Sequence, residues 1–289
     1  MLYFLIAVMV LAWSCNFIVA KAALKELDPL TLLSLRLLFS NLILLALYFG
    51  TGRHRRRPIG ESDWKWFALL GLFGIAGNQT GFTVGIAFTT VSHSALIISV
   101  TPVLVLLLAA RMKLESFTKM KLFGMAISFA GVAILMSEHA IDARDPSFLG
   151  DLVTFAGSIC FALYTVYSKP VAARYDVLSL TTFTYLFGGG FVFLFTGRQF
   201  AQVDWLAVSW KGWLGALYMA AAASVLAYLI FYYALTKISA SRVIAFSYLQ
   251  PVIVTVLGVL LLGDRVTPHL LGGGLLVLIG VVLAERGRT

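Results

Sequence analysis

Arg36 is the one charge of this chain that lies well inside a long apolar run, about 9 Å from the start of that run at 1.5 Å per residue. A charge at such depth turns towards the interior of a bundle and becomes a candidate for contact with a substrate, a carboxylate above all. The alternative is an arginine that snorkels to the near interface or caps carbonyl groups. Asn16, Asn78, Gln79, Ser99, Thr101, Ser247, Tyr248 and Gln250 are polar groups in equally apolar surroundings. An amide or hydroxyl in hydrocarbon needs a partner, so these residues either join helices or line a wet cavity. Trp13, Tyr164, Tyr228 and Tyr232 lie too deep in their runs for an interfacial belt. An aromatic wall with few polar groups would accept flat or apolar solutes, and core or lipid packing is the alternative for each ring.

The acids are placed differently. All 13 fall in loops or at the ends of apolar runs, Asp151 included, and His93 stands at the start of the fourth run, where it reads as interfacial. Carriers driven by protons usually bury a carboxylate or a histidine within the membrane. Their absence from the span centres predicts facilitated movement down a gradient, with coupling left open only through a shallow group such as Asp151. An enzyme at this depth would need a metal cluster, a catalytic dyad or paired carboxylates, and a channel would show charged rings or repeated filter loops. The sequence carries neither. Cys15 and Cys160 read as small hydrophobes with reduced thiols, and no catalytic residue, metal, cofactor or disulfide is expected.

The elements that position these groups follow from composition. The chain is 60% hydrophobic and 12% charged, against roughly 25% charged in a water-soluble domain. About 20 apolar residues span the hydrocarbon as a helix. Ten such runs can be traced, at 2–20, 30–49, 66–87, 92–110, 118–136, 149–168, 178–197, 212–235, 240–262 and 269–284. The fold expected is all-α and integral to the membrane. Ala20-Lys21-Ala22 resembles a signal-peptidase site, but nothing basic precedes Lys21 and the apolar run is long, so the first helix reads as retained.

The net charge of +9 does not point to nucleic acid, because its distribution follows the membrane. With the N-terminus in the cytoplasm, that side receives Arg53, Arg55, Arg56, Arg57, Lys65, Arg111, Lys113, Lys119, Lys121, Lys169, Arg174, Lys237, Arg242, Arg286 and Arg288. The other side receives Lys21, Lys25, Arg144, Arg198, Lys211 and Arg265. Such a bias puts both termini in the cytoplasm, with the Arg53–Arg57 cluster as an anchor on anionic lipid.

Two stretches 149 residues apart are versions of each other. Ser92 to Leu135 lies over Ser241 to Ala284 without a gap, matching Pro102 with Pro251, Glu115 with Asp264, Gly124 with Gly273 and Gly131 with Gly280. The repeat divides the chain into five-helix halves, 1–137 and 148–289, with the seam near Glu138–Ser147. Five is odd, so the second half enters the membrane from the opposite side, and the halves are inverted repeats around a central cavity. Pro102 and Pro251, at matched places mid-span, suit hinges, or static bends that shape the cavity. Gly77, Gly81 and Gly85 form overlapping G-x-x-x-G units that bring helix backbones together.

Trp13-Ser14-x-Asn16-Phe17 followed by Lys21, Pro29 with Arg36, and the paired endings Pro102…Glu115-x-x-Thr118 and Pro251…Asp264-x-x-Thr267 resemble the drug/metabolite transporter superfamily. The paired halves look like its ten-helix amino-acid and metabolite exporters of the EamA type. That resemblance implies a bacterial inner-membrane exporter working by alternating access on a small-molecule substrate, plausibly amino acids, including aromatic or apolar ones, as a functional monomer in the lipid bilayer. A proton-coupled multidrug carrier is the alternative. Small multidrug members of the superfamily use an acid within the first helix, and here none precedes Glu26.

Overall fold

In the computed structural model, the described residues are 1–52, 60, 63–112, 118–137, 146–238 and 240–286. The side chains of Ser241, Arg242 and Tyr248 are not among those described. The described chain runs through ten helical segments. These are α1 (Leu2–Ala23), α2 (Pro29–Gly50), α3 (Trp64–Phe88), α4 (Val91–Arg111), α5 (Lys119–Met136), α6 (Pro146–Ala172), α7 (Val177–Ala201), α8 (Trp210–Lys237), α9 (240–262) and α10 (Pro268–Arg286). Seven of them, α1–α4 and α6–α8, are long and apolar enough to cross a membrane, and α5, α9 and α10 hold the shorter apolar segments Leu122–Leu135, Leu249–Leu262 and Pro268–Gly280. The Arg53–Arg57 cluster, Glu115 and most of the seam fall outside the described residues.

The helices start where side chains can cap them. Asp28 precedes Pro29, and its Oδ1 accepts from the backbone N–H groups of Leu30 and Thr31 at 3.1 Å. Asp176, 148 residues on, does the same for α7 through Ser179 N–H. Helix ends are matched too. Lys21 Nζ donates to the carbonyls of Ile86 (2.8 Å) and Thr89 (2.7 Å) at the end of α3, and Lys169 Nζ to those of Leu235 and Ile238 at the end of α8. The last carbonyls of a helix have no N–H partner of their own, so an ammonium group there satisfies them and complements the helix dipole.

Other irregularities recur with the same spacing. A π-helical stretch occupies Gly71–Gly77 in α3 and Met219–Leu226 in α8. α4 breaks into Val91–Ile98 and Thr101–Arg111, with Pro102 in the first turn of the second piece. α9 is interrupted by a 3₁₀ turn at Phe246–Tyr248, just before Pro251. The prolines thus follow breaks instead of kinking continuous helices.

The inversion is visible between α5 and α10. A Cβ on Gly131 would stand 2.7 Å from the carbonyl oxygen of Gly273, and one on Gly280 would stand 2.5 Å from that of Gly124. Each residue of one helix meets the counterpart of its own partner, in antiparallel sense. Such self-complementarity is the mark of a twofold relation. The α3 glycines pack: a Cβ on Gly81 would lie 2.5 Å from Gly157 Cα in α6, and one on Gly71 would lie 2.7 Å from Gly188 N in α7. Without a hydrophobic drive between helices in lipid, such close backbone approach supplies the dispersion contacts.

Candidate functional site

A cavity with about 610 Å³ of empty space, partly open to the outside, lies between the halves. It is lined by Trp13, Asn16 and Phe17 of α1, Arg36 of α2, Asn78, Gln79 and Phe82 of α3, and Ile98 and Thr101 of α4. Phe161 of α6, Tyr228 of α8, and Ile244, Ser247 and Gln250 of α9 complete the wall. Several of these stand in pairs one repeat apart: Trp13 and Phe161 at 148 residues, and Gln79 with Tyr228, Ile98 with Ser247 and Thr101 with Gln250 at 149. The cavity therefore straddles the relation between the halves.

Arg36 reaches the wall from the second turn of α2 and is 3% exposed. Its Nε donates to Ser224 Oγ at 2.8 Å, and its Nη1 has no hydrogen-bond partner among the described residues. No acid lines the cavity among the described residues. Asn78 Nδ2 donates to Tyr228 OH at 3.1 Å, and Gln79 Nε2 to Tyr185 OH at 2.8 Å. These bonds use the donor side of each amide, leaving Gln79 Oε1, like Asn16 Oδ1, buried without a partner among the described residues. Buried polar groups are ordinarily satisfied, so three open valences beside one cavity mark a place where a ligand can complete them. Trp13 is fixed by its Nε1 donating to Ala223 O at 3.0 Å, and meets Phe161 and Tyr228 edge to face at 5.9 and 5.8 Å. Phe17 and Phe82 form a second edge-to-face pair at 5.0 Å.

Of the residues singled out from sequence, Trp13, Asn16, Arg36, Asn78, Gln79, Thr101, Tyr228, Ser247 and Gln250 come together in this wall. Ser99 does not, because its hydroxyl turns back to Leu96 O at 2.6 Å across the helix break. Tyr164 stands behind the wall, stacked on Phe231 at 5.8 Å, and Tyr232 OH lies 3.4 Å from Thr184 Oγ1. The side chain of Tyr248 is not among those described. Phe17, Phe82, Ile98, Phe161 and Ile244 escaped sequence reasoning because apolar lining resembles apolar core. Phe161 and Ile98 carried a signal, their repeat spacing from Trp13 and from Ser247.

Two readings are corrected: His93 is buried where the sequence read it as interfacial, and Asp151 moves with it. Asp151 is not at a hydrated span end: it is fully buried in the second turn of α6, with Oδ2 3.2 Å from Nδ1 of His93, itself 4% exposed. The start of a long helix reads as interface in a hydropathy profile, yet here it tucks beneath α3 and α4. Among the described residues no group of three or more His, Cys, Asp or Glu could hold a metal ion.

The fold has a solved counterpart. A chain titled "Crystal structure of protein" superposes with a TM-score of 0.70 at 18% identity, covering 98% of this chain and 96% of its own. An uncharacterized transporter of Archaeoglobus fulgidus is 28% identical over 97% of this chain and 96% of its own length. A probable terminal-alkyne amino-acid exporter of Streptantibioticus cattleyicolor is 27% identical over 80% of this chain and 76% of its own length. The model of the EamA-like transporter family matches residues 1–137 and again 148–285. Two matches in tandem, ten helices and a cavity between the halves lead to one conclusion: the chain belongs to the EamA-like transporter family and is a multi-pass membrane transporter, not an enzyme.

Proposed function

We propose that the protein exports amino acids with apolar or aromatic side chains from a bacterial cytoplasm, by alternating access of its two five-helix halves, 1–137 and 148–289. The observation that carries this is a set of open valences on residues that line an aromatic cavity: a guanidinium donor on Arg36 and amide acceptors on Asn16 and Gln79. A zwitterion supplies the complement, its carboxylate on Arg36 and its ammonium on the amide oxygens, while Trp13, Phe161 and Tyr228 receive its side chain. The position of the cavity between inverted halves suits exposure to each face in turn, with the helix breaks before Pro102 and Pro251 as hinges. The amino-acid exporter among the relatives agrees with this substrate class.

Counterflow in proteoliposomes tests it, with L-phenylalanine and phenethylamine as probes. L-phenylalanine should exchange and phenethylamine, lacking the carboxylate, should not. Arg36→Met should lower L-phenylalanine flux at least about tenfold, the scale of one lost charge-assisted hydrogen bond. Equal flux of both probes would refute the carboxylate assignment. Orientation is tested separately. Cysteines near Arg56 should label from the cytoplasm and cysteines near Asp142 from outside, and the reverse pattern overturns the assignment of both termini to the cytoplasm.

A further inference from the structure

Two phenols hold the amides of α3. Tyr185 of α7 is fully buried and is not part of the cavity wall, but its hydroxyl accepts from Gln79 Nε2 at 2.8 Å, and Gln79 is in that wall. Tyr228 of α8 accepts from Asn78 Nδ2 at 3.1 Å and donates in turn to Gly74 O at 3.3 Å. The two rings meet edge to face at 5.3 Å, and the Gln79 amide faces the Tyr228 hydroxyl as well. A tyrosine hydroxyl has a single proton. With that of Tyr228 committed to Gly74, its oxygen only accepts, so the end of the Gln79 amide turned to the two phenols is the NH2 end.

We propose that Tyr185 is a positioning residue that sets the polarity of the binding site: by holding the Gln79 amide through its NH2 group, it keeps Oε1 as the atom Gln79 offers a solute. The site then selects solutes that bring a donor, an ammonium group, over those that do not. A primary amide left free is ambivalent, because turning it over exchanges acceptor for donor with almost no change of shape. Such an amide would suit a solute with an ammonium group and one without. A fixed amide would not. Gln79 Oε1 has no hydrogen-bond partner among the described residues, and a solute lacking a donor leaves it unpaired in a low-dielectric site. Selection of this kind works by penalty on the wrong solute, which discriminates more sharply than added attraction for the right one.

Glycine brings Tyr185 within reach of α3. Gly188, three residues on and on the same face of α7, lets that helix approach the π-helical stretch so closely that a Cβ there would fall 2.3 Å from Ile75 Cβ. One repeat away, the position of Tyr185 is held by Leu37 and that of Gln79 by Tyr228, so the inverted half carries no copy of this contact. For the choice of solute the inference rests on the proposed export of amino acids, in which Arg36 meets the carboxylate and Gln79 the ammonium group. The hold of Tyr185 on the amide does not depend on that reading.

Counterflow in proteoliposomes with L-phenylalanine and 3-phenylpropanoate, which differ only in the ammonium group, tests the selection. The parent should carry L-phenylalanine at least about tenfold faster, the scale of one charge-assisted hydrogen bond. In Tyr185→Phe, which keeps the ring against Tyr228, that ratio should fall to within about threefold through a gain in 3-phenylpropanoate flux, which structural damage does not produce. Gln79→Met should lose the preference by itself, and adding Tyr185→Phe should change the ratio no further, as expected of a residue that acts through Gln79. A parental ratio in Tyr185→Phe overturns the proposal, and so does a further fall when Tyr185→Phe is added to Gln79→Met. The hold itself is read without solute, by hydrogen–deuterium exchange of side-chain NH2 signals in protein labelled with nitrogen-15 glutamine. The chain has four glutamines, Gln79, Gln199, Gln202 and Gln250, and the signal lost in Gln79→Met identifies the first. Its exchange should be at least about tenfold faster in Tyr185→Phe than in the parent, and an unchanged rate overturns the proposal. Should Tyr185→Phe not yield monodisperse protein, the parent decides: a Gln79 signal that exchanges as fast as that of the exposed Gln202 overturns the hold. If the parent carries neither probe while the exchange responds as expected, the amino-acid reading fails and the hold on Gln79 stands.

Discussion

At one end of the bundle Lys21 closes the last turn of α3; at the other, Lys169 closes the last turn of α8. Beyond these matched lysines the ends part company. The Lys21 end adds His93 with Asp151 and Ser92 with Asp264. One repeat away, the position of His93 is held by Arg242 and that of Asp151 by Tyr3, which is 66% exposed. Position 258 records the same difference. Gly258 lies against the fastened turn, where a Cβ would fall 2.8 Å from Asp264 Oδ2 and 2.7 Å from Val91 Cγ2. Its counterpart Ala109 accommodates a Cβ without difficulty. The comparison teaches that the fold supplies a symmetric frame and that a few side chains give one end its own fastening.

The comparison can be broken most sharply at position 258. Gly258→Val should force the Ser92–Asp264 contact apart and destabilise the protein by about 2–3 kcal/mol, the range for overpacking a tight site. Ala109→Val at the other end should cost less than half as much. Thermal unfolding of the two variants in the same detergent checks the ratio, and equal losses would erase the distinction between the ends. A smaller effect sharpens the symmetric part. Lys21→Met and Lys169→Met should each cost about 1–2 kcal/mol by uncapping helix carbonyls. The former should cost more, since Lys21 reaches a third carbonyl, that of Ala87, at 3.4 Å. A silent Lys21→Met would mean that water caps α3 as well as the ammonium does.

The ten helices were legible because each needs only a run of apolar residues of the right length, and the inverted halves because the repeat between Ser92–Leu135 and Ser241–Ala284 survives in sequence. Most polar members of the cavity wall were legible for a related reason: an Arg or an amide in such a run must pair with another helix or meet water, and either need turns it towards the bundle interior. Hydropathy carries no information on rotation about a helix axis, so Tyr164 and Phe161, three residues apart on α6, could not be told apart as second layer and wall. It also scores a residue by neighbours in sequence, whereas Asp151 is buried by α3 and α4, which lie far away along the chain. Lys169 looked like one more cytoplasmic cation because its partners, the end carbonyls of α8, are backbone atoms that leave no trace in residue type.

The antiparallel meeting of Gly131 with Gly273 and of Gly280 with Gly124 is one that a single five-helix unit could make with an upside-down copy of itself. Such a dimer would necessarily carry identical residues at its two faces, and whatever fastened one would fasten the other. Joining the units in one polypeptide lifts that constraint, since every position is then inherited separately in each half. His93 and Asp151 occur once each, and neither could do so in a self-paired ancestor. Joining the two units in one chain is thus what allows the two ends of a carrier of this plan to differ.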